Sequence, residues 1–494
     1  MKKVMFILAT IILTVILVGC NDEVKDKGEI PTKPFTVNSY LDSNAVYEGN
    51  SKLTVSGESD ANVVIHLELI SKNNKTVDAY ETTVNEKNLS WSITFDTPRP
   101  TDDNYKIRIR DAHSTYVYEY TNIRFGYLWL VAGDGFINYP IELSEDEKYN
   151  SLDEISFYEV SSNSHWLTNN EKLTNVSSFD LEFARLLQKK LKAPIGIIVG
   201  DEHSTLIEEW LPLDAASSIG SIYNYLQNLG KYNENPNYGD ACYLFDKELK
   251  HLKGLSLSGI IWNQGEKQAE LFNNKQYEKI YFQMLTSIIQ KWCSYFNTDK
   301  MVLLQTPSNY DKYTNRLRYI QNIAANYYRF VEIIPTFDLY VKENDKIIDV
   351  DVDSVASRTV EVITGSKRVS SYANLILDIN EDDIVDQIKI EFDNVKNINV
   401  IDSETINYLV VKYQDEELGL ITLDIVPEVD GNYLIFDLSY ETEITDENGG
   451  IVKVTNYYNK SLISIEFGQV ENLENINIFN EDMIPMLPFI IEIE

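Results

Sequence analysis

The sequence of 494 residues is poor in basic side chains, in cysteine and in histidine. With 43 Lys and Arg against 77 Asp and Glu, its formal charge is −34. A phosphate backbone would be repelled over most of such a surface, so we expect no nucleic-acid partner. Three cysteines are too few for a disulfide framework, and we predict that Cys242 and Cys293 are buried apolar groups. No histidine follows His251, so the chain beyond residue 251 offers no imidazole.

The N-terminus has the pattern of an export signal. Lys2 and Lys3 precede an apolar run at residues 4–18, which is short for a membrane span and is followed by a polar stretch. Residues 17–20, Leu-Val-Gly-Cys, resemble the lipobox of bacterial lipoproteins, which implies cleavage after residue 19 and lipids on Cys20. We therefore predict a signal peptide at 1–19, a tether at 20–33 and a protein anchored to a membrane of the bacterial cell envelope. The alternative is an ordinary secretory signal with a chance cysteine.

Hydrophobic periodicity divides the rest of the chain into three parts. Residues 34–124 alternate polar and apolar residues between turns, which predicts a small β-sandwich. Residues 125–365 alternate apolar strands with amphipathic helices, which predicts a parallel sheet covered on both faces. Residues 366–494 return to strand patterns and predict a C-terminal β-rich domain. The predicted fold class is therefore α/β with a β domain on either side.

Three apolar strand patterns each end in a polar loop. They are RFGYLWLVAGDGFINYP from residue 124, APIGIIVGDEHSTLIEEWLP from residue 193 and GIIWNQGEKQ from residue 259. In α/β proteins, ligands bind beyond the carboxyl ends of parallel strands. The candidate pocket residues at these three ends are Asp134, Gly135, Phe136, Asp201, His203, Ser204, Gln264 and Glu266.

These blocks resemble the sialate O-acetylesterase family, carbohydrate esterases of the SGNH-hydrolase fold. Residues 126–141 follow the family's first block without a gap. The residues that match its second and third blocks are Pro194, Gly196, Thr205, Ile207, Glu208, Trp210, Trp262, Gln264, Gly265 and Glu266. The C-terminal INIFNEDMIPMLPF is also similar to the family's ending. The resemblance implies a flavodoxin-like α/β/α domain flanked by N- and C-terminal β-sandwich domains, and a family activity that removes O-acetyl groups from sialic acid or a related sugar.

The matching positions lack the family's nucleophile and base. The family's serine falls on Gly135, and Phe136 and Ile137 replace the following Asn and Met. In the family's D-x-H-P stretch, the aspartate falls on Asp351 and the histidine on Asp353, in an alignment that needs an insertion after residue 339. Acyl transfer needs an oxygen nucleophile, a base and donors for the oxyanion. The sequence therefore predicts a pseudoesterase.

Several candidate residues have more than one interpretation. His203 and Ser204, where the family has glycine, are either a relocated Ser-His pair or loop neighbours that crowd the pocket. Asp134 and Glu266 either form a carboxylate pair for acid/base work, or bind a cation with Asp201, or are solvated or capping residues. We rank the last interpretation first, and we predict no metal and no cofactor.

The remaining polar and aromatic candidates point to sugar. Gln264 is predicted to offer its amide to a carbonyl or a sugar hydroxyl. Trp129, Trp166, Trp210 and Trp262 are either a platform for sugar rings or core residues, and the strand patterns favour the core for Trp129 and Trp262.

Three functions remain open. The favoured one is a non-catalytic surface lipoprotein that binds glycan or another surface partner. The second is a working carbohydrate esterase with relocated catalytic residues, acting on sialic acid or a similar sugar. The third is a structural or adhesive envelope protein.

Overall fold

The structure is a computed structural model that describes twelve stretches of the chain, namely residues 28–137, 154–160, 165–168, 176–201, 205–307, 313–343, 346–379, 385–415, 418–445, 451–457, 462–470 and 473–493. The predicted signal peptide, Cys20 and residues 20–27 of the tether lie outside the described residues. None of the described helices is both long enough and apolar enough to cross a bilayer.

Strands dominate the described part of the chain. They are β1 (Val46–Glu48), β2 (Lys52–Glu58), β3 (Val64–Ser71), β4 (Thr76–Thr83), β5 (Ser90–Asp96), β6 (Tyr105–Asp111), β7 (Val117–Gly133), β8 (Ile155–Glu159), β9 (Trp166–Leu167), β10 (Ile195–Asp201), β11 (Gly259–Asn263), β12 (Met301–Leu304), β13 (Val331–Ile334), β14 (Tyr340–Glu343), β15 (Lys346–Val350), β16 (Tyr372–Ile379), β17 (Val385–Phe392), β18 (Ile398–Val400), β19 (Leu409–Asp415), β20 (Gly419–Leu423), β21 (Glu428–Asp430), β22 (Tyr433–Asp437), β23 (Ser439–Thr445), β24 (Ile451–Tyr457), β25 (Leu462–Phe467), β26 (Ile478–Asn480) and β27 (Phe489–Glu492). The α-helices are α1 (Ser178–Leu191), α2 (Leu213–Ser218), α3 (Gly220–Asn228), α4 (Glu266–Ala269), α5 (Lys275–Tyr295), α6 (Thr314–Asn326) and α7 (Val352–Ile363).

Strand β7 is the centre of a mixed sheet. Its first half pairs antiparallel with β6, and its second half pairs in parallel with β10 on one side and β11 on the other. The sheet runs in the order β13-β12-β11-β7-β10-β8-β9, and only the last of these pairings is antiparallel. The apolar run from Leu128 to Ala132 is fully buried, as expected of a strand covered on both faces. The prediction of a mixed α/β fold is confirmed.

The N-terminal strands are joined to this sheet through β7. Strand β1 pairs in parallel with β7 at Arg124–Gly126, so the boundary predicted at residue 124 lies within one continuous strand. The Glu48 carboxylate, at the end of β1, accepts hydrogen bonds from the Leu128 backbone N–H (2.8 Å) and the Ser258 hydroxyl (2.5 Å). Burial raises the pKa of Glu48 to about 7. One hydrophobic core therefore extends from the N-terminal strands into the α/β sheet.

The helices begin at identifiable caps. Helix α1 starts with a capping box, in which Asp180 N–H donates to the Ser177 hydroxyl (3.1 Å) and Ser177 N–H donates to the Asp180 carboxylate (2.9 Å). Helix α7 starts at Asp351 and packs against α1, while α5 packs against α3 and α6. These helices bury one face each, which is the source of most helix stability in a folded protein.

The C-terminal strands have a core of their own. Two four-stranded sheets, β16-β17-β22-β21 and β20-β19-β25-β27, surround a second group of buried apolar side chains. This region is attached to α6, because the fully buried Arg318 donates to the carbonyls of Thr306 (2.9 Å) and Val470 (3.1 Å). Asn322 also donates to the carbonyl of Pro488 (2.9 Å). The β-rich pattern predicted for the C-terminal part is observed.

Candidate functional site

The three predicted loops meet at one edge of the sheet. Gly133, the last residue of β7, is in register with Asp201 in β10 and with Asn263 in β11. The residues that follow each of these strands therefore lie side by side, as the sequence predicts. His203 and Ser204 lie outside the described residues, and so does the side chain of Asp201, so their suggested roles stay predictions.

Asn263 holds the turn that follows β7. Its backbone carbonyl accepts from the N–H groups of Asp134 (3.0 Å) and Gly135 (3.1 Å). With its side-chain oxygen facing the turn, it also accepts from the N–H groups of Phe136 and Ile137, each at 3.1 Å. One buried residue thus takes up four successive backbone donors. Sequence reasoning missed this residue, although it stands where the resembling family has tyrosine.

The Asn263 side chain fills the space beside Gly135. A Cβ atom at position 135 would lie 2.3–2.4 Å from the amide atoms of Asn263, far inside van der Waals contact. The backbone of Gly135 is not in the positive-φ region, so its conformation would accept an L side chain. Gly133 differs, because its φ of 129° favours glycine and a Cβ there would lie 1.9 Å from the Asn263 carbonyl oxygen. At position 135, then, the obstacle to a side chain is the Asn263 amide.

Asp134 and Glu266 form a pair of carboxyl groups at this edge. The Asp134 carboxylate accepts from Thr205 N–H at 2.9 Å, which ties the loop after β10 to the turn after β7. Burial, and secondly the charge of Glu266, raise the pKa of Asp134 to about 8. Burial likewise raises the pKa of Glu266 to about 7, although hydrogen bonds from its own backbone N–H and from the Phe136 N–H act to lower it. At neutral pH the pair therefore retains a proton that neither group would keep in water.

The amide of Gln264 belongs to an internal network. Its Nε2 donates to Gln268 Oε1 (2.9 Å), and its Oε1 accepts from the Tyr281 hydroxyl (3.2 Å). Its backbone carbonyl accepts from Gln321 Nε2 (3.1 Å). Gln264 is 1% exposed, and both of its amide atoms are hydrogen-bonded within the protein. The amide therefore positions α4 and the loop after β11. Its predicted contact with a ligand remains a prediction.

The two aspartates aligned with the family's Asp and His lie at the start of α7. Asp351 is the N-cap, and its carboxylate accepts from the Ser354 N–H (3.1 Å) and the Ser354 hydroxyl (2.7 Å). Asp353 is exposed in the first turn of the helix. Both are favourable near the positive end of a helix, and neither can act as an imidazole base.

Three of the four described histidines are engaged elsewhere in the fold. His66 lies 3.7 Å from Glu81 in the N-terminal strands, and His113 lies 3.2 Å from the carbonyl of Gly28. The ring of His251 lies 3.3 Å from the Tyr158 hydroxyl, and burial lowers its pKa. No described contact brings these three rings to the turn after β7.

The tryptophans proposed as a sugar platform are all core residues. Their exposed fractions are 3% for Trp129, 1% for Trp166, 0% for Trp210 and 2% for Trp262. Trp210 and Trp262 contact each other at 5.7 Å between ring centroids, edge to face. The core interpretation, favoured for Trp129 and Trp262, is therefore confirmed for them and holds for Trp166 and Trp210 as well, so the platform alternative is wrong. Phe136, a predicted pocket residue, is also buried, at 3%.

Two predictions concern the cysteines after Cys20 and the side chains that could bind a metal ion. Cys242 and Cys293 are free and buried, which confirms the prediction made for them. Within the described stretches, the His, Cys, Asp and Glu side chains nowhere gather in groups of three that would hold a metal ion.

Together these features define a mixed α/β fold with its candidate site at the carboxyl ends of β7, β10 and β11. The crystal structure of a carbohydrate acetylesterase from Xanthomonas citri is similar to this chain, with a TM-score of 0.69 and 14% identity over 93% of this chain and 99% of that one. A likeness at this identity shows the fold. No protein-family model and no curated protein sequence matches the chain.

Two further solved structures superpose much less well. A protein of Arabidopsis thaliana has a TM-score of 0.33 and 13% identity over 48% of this chain and 96% of that one. A family two carbohydrate esterase from Clostridium thermocellum, in complex with cellohexaose, has a TM-score of 0.27 and 9% identity over 67% of this chain and 98% of that one. At that level of superposition, neither bears on the fold of this chain.

Proposed function

We propose that this protein is a non-catalytic relative of the carbohydrate esterases, lipid-anchored at the cell envelope through Cys20, that binds glycan or another surface partner. Its scaffold is an SGNH-hydrolase-like α/β/α domain with β-sandwich domains on both sides. The likeness to the Xanthomonas citri carbohydrate acetylesterase, which extends over 93% of the chain, supports this scaffold.

The observation that carries the proposal is the contact between Gly135 and Asn263. The position of the family's nucleophile has no side chain, and the space that a serine would enter is filled by the Asn263 amide. An ester hydrolase also needs backbone donors aimed at the developing oxyanion. The N–H groups of residues 134–137 are instead directed to Asn263 oxygens, and that of Phe136 also to the Glu266 carboxylate. The turn thus lacks a nucleophile, and its backbone N–H groups are already hydrogen-bonded within the protein.

Labelling and turnover test the absence of catalysis. We expect the full-length protein, purified in mild detergent, to hydrolyse aryl acetates and O-acetylated sialic acid no faster than its Asn263→Ala variant. We also expect a fluorophosphonate probe to label no residue. Turnover well above that of the variant, or a stoichiometric adduct on any serine, would contradict the proposal.

The relocated-esterase alternative is favoured by one contact. The Thr205 N–H is bonded to the Asp134 carboxylate, and His203 and Ser204 are the two residues that precede Thr205 in the sequence. Labelling of Ser204, abolished by His203→Ala, would establish this second function.

Anchoring and binding are tested separately. Palmitate incorporation that is lost in Cys20→Ala would establish the lipid anchor, and unchanged incorporation would refute it. A glycan array probed with the full-length protein tests ligand binding. Retention of no sugar would favour the structural or adhesive alternative.

A further inference from the structure

A groove lies on the edge of the α/β domain opposite to the candidate site. Two adjoining cavities, of about 690 and 240 Å³, share Gln290 and Tyr328 in their walls. They follow helix α5 and the segments that precede β12 and β13, at the amino ends of those strands. The larger volume is within the range of small-molecule binding sites. Since the turn after β7 lies at the carboxyl edge, this groove is a separate feature.

Contacting aromatic rings form one wall of the groove. Phe282, Tyr327, Tyr328 and Phe330 follow one another with ring centroids 6.3, 5.1 and 5.2 Å apart. Tyr327 is 70% exposed, so its ring is presented to solvent. Phe282, Tyr328 and Phe330 are partly buried against the core, and they support the exposed ring of Tyr327 at the surface. An exposed aromatic ring held by rigid neighbours is typical of a binding surface.

The other wall is polar but nearly uncharged. Gln290, Ser294 and the Tyr327 hydroxyl make no hydrogen bond to another described residue, so their polar groups face the groove or solvent. Among the described residues that line the two cavities, Asp299 carries the one carboxylate, and none is Lys, Arg or His. Amide and hydroxyl groups beside aromatic rings suit a ligand with many hydroxyl groups and apolar ring faces.

We propose that this groove binds a neutral oligosaccharide in extended form, with a sugar ring against Tyr327 and hydroxyl groups bonded to Gln290 and Ser294. Along α5, Phe282 and Ser294 are about 18 Å apart at 1.5 Å per residue, enough for several sugar units. A peptide fits less well, because the groove offers helix and loop surface and no strand edge for backbone pairing. The net charge of −34 disfavours an anionic glycan.

Titration with neutral hexasaccharides tests this site. The full-length protein in mild detergent is titrated calorimetrically with cellohexaose, xylohexaose and chitohexaose. We expect at least one to bind, and Tyr327→Ala to weaken it about fivefold, which is about 1 kcal/mol, because the variant removes the exposed aromatic face from the groove. Gln290→Ala should weaken binding to a smaller extent.

Tyr238→Ala is the matched control. Tyr238 is 77% exposed on another part of the surface, so its replacement should leave the affinity unchanged. The proposal is overturned if none of the three sugars binds, or if Tyr327→Ala and Tyr238→Ala have equal effects. It is also overturned if Asn263→Ala, which alters the candidate site, removes binding while Tyr327→Ala does not. Because the groove variants leave the turn after β7 intact, this result is independent of the esterase measurements.

Discussion

The packing of Asn263 against Gly135 predicts a coupled pair of substitutions. In Gly135→Ser, the new Cβ lies 2.3–2.4 Å from the Asn263 amide, and overpacking of this kind costs about 1–3 kcal/mol. In Asn263→Ala, the buried N–H group of Ile137 loses its acceptor, at about 1–3 kcal/mol, whereas the Phe136 N–H keeps its bond to the Glu266 carboxylate. In the double variant the clash is absent, and the serine hydroxyl lies where it can accept from the turn. We expect the double variant to be about 1–3 kcal/mol more stable than the sum of the single effects.

Urea denaturation of the four proteins measures this coupling. The free energy of unfolding is extrapolated for each, with the slope m compared to exclude a change in the unfolded state. Gly220→Ser is the matched control, because a Cβ at Gly220 meets no atom within 4 Å and should be additive with Asn263→Ala. Additivity within about 0.5 kcal/mol for Gly135→Ser as well would refute the inference that Asn263 occupies the side-chain space of residue 135.

Further predictions concern groups away from the turn. Since the pKa of Glu48 rises from 4.5 to about 7 on folding, the folded state binds its proton more tightly. The free energy of unfolding should therefore fall by about 3 kcal/mol as the pH rises from 4.5 to 7, and Glu48→Gln should remove this loss in urea titrations, whereas an unchanged pH profile would contradict it. Arg358 donates twice to Asp338, at 2.7 Å each, and Arg358→Ala should cost about 3–5 kcal/mol in the same assay because it leaves a mostly buried carboxylate unpaired; a loss below 1 kcal/mol would be inconsistent with that. Burial raises the pKa of Cys242 and of Cys293 to about 12, so neither thiol should react with Ellman's reagent at pH 8 until the chain unfolds, and rapid reaction of the native protein would show otherwise.

Much of the architecture was predictable because local hydrophobic patterns in the sequence mark the buried strands. The runs at residues 128–132, 195–199 and 259–262 contain no polar side chain, and each lies in a buried strand of the parallel part of the sheet. Their loops could be expected to meet because parallel strands present their carboxyl ends at one edge. The sequence alone therefore predicts that Asp134, Gly135, Gln264 and Glu266 lie at one edge of the sheet.

The role of Asn263 could not be predicted in the same way. Its contact with the turn depends on the register that sets Gly133 opposite Asn263, between segments 130 residues apart in the chain. The sugar-platform alternative for the tryptophans was wrong for a similar reason. Trp166 and Trp210 stand in short elements that look like surface loops in sequence, but tertiary contacts bury both. Local periodicity does not show which distant side chain will occupy a given space.

Strand β7 has a consequence for how this protein can be divided. The first half of the 17-residue strand β7 pairs with the N-terminal strands, and its second half pairs with the α/β sheet. Cleavage near residue 124 would therefore leave each part with an incomplete strand and unpaired backbone groups at a sheet edge. A recombinant fragment starting there would lack β1 and the carboxylate that caps Leu128, and would be prone to aggregate. The two regions are therefore not interchangeable modules, because a force applied to the N-terminal strands would be transmitted along β7 to the turn that contains Gly135.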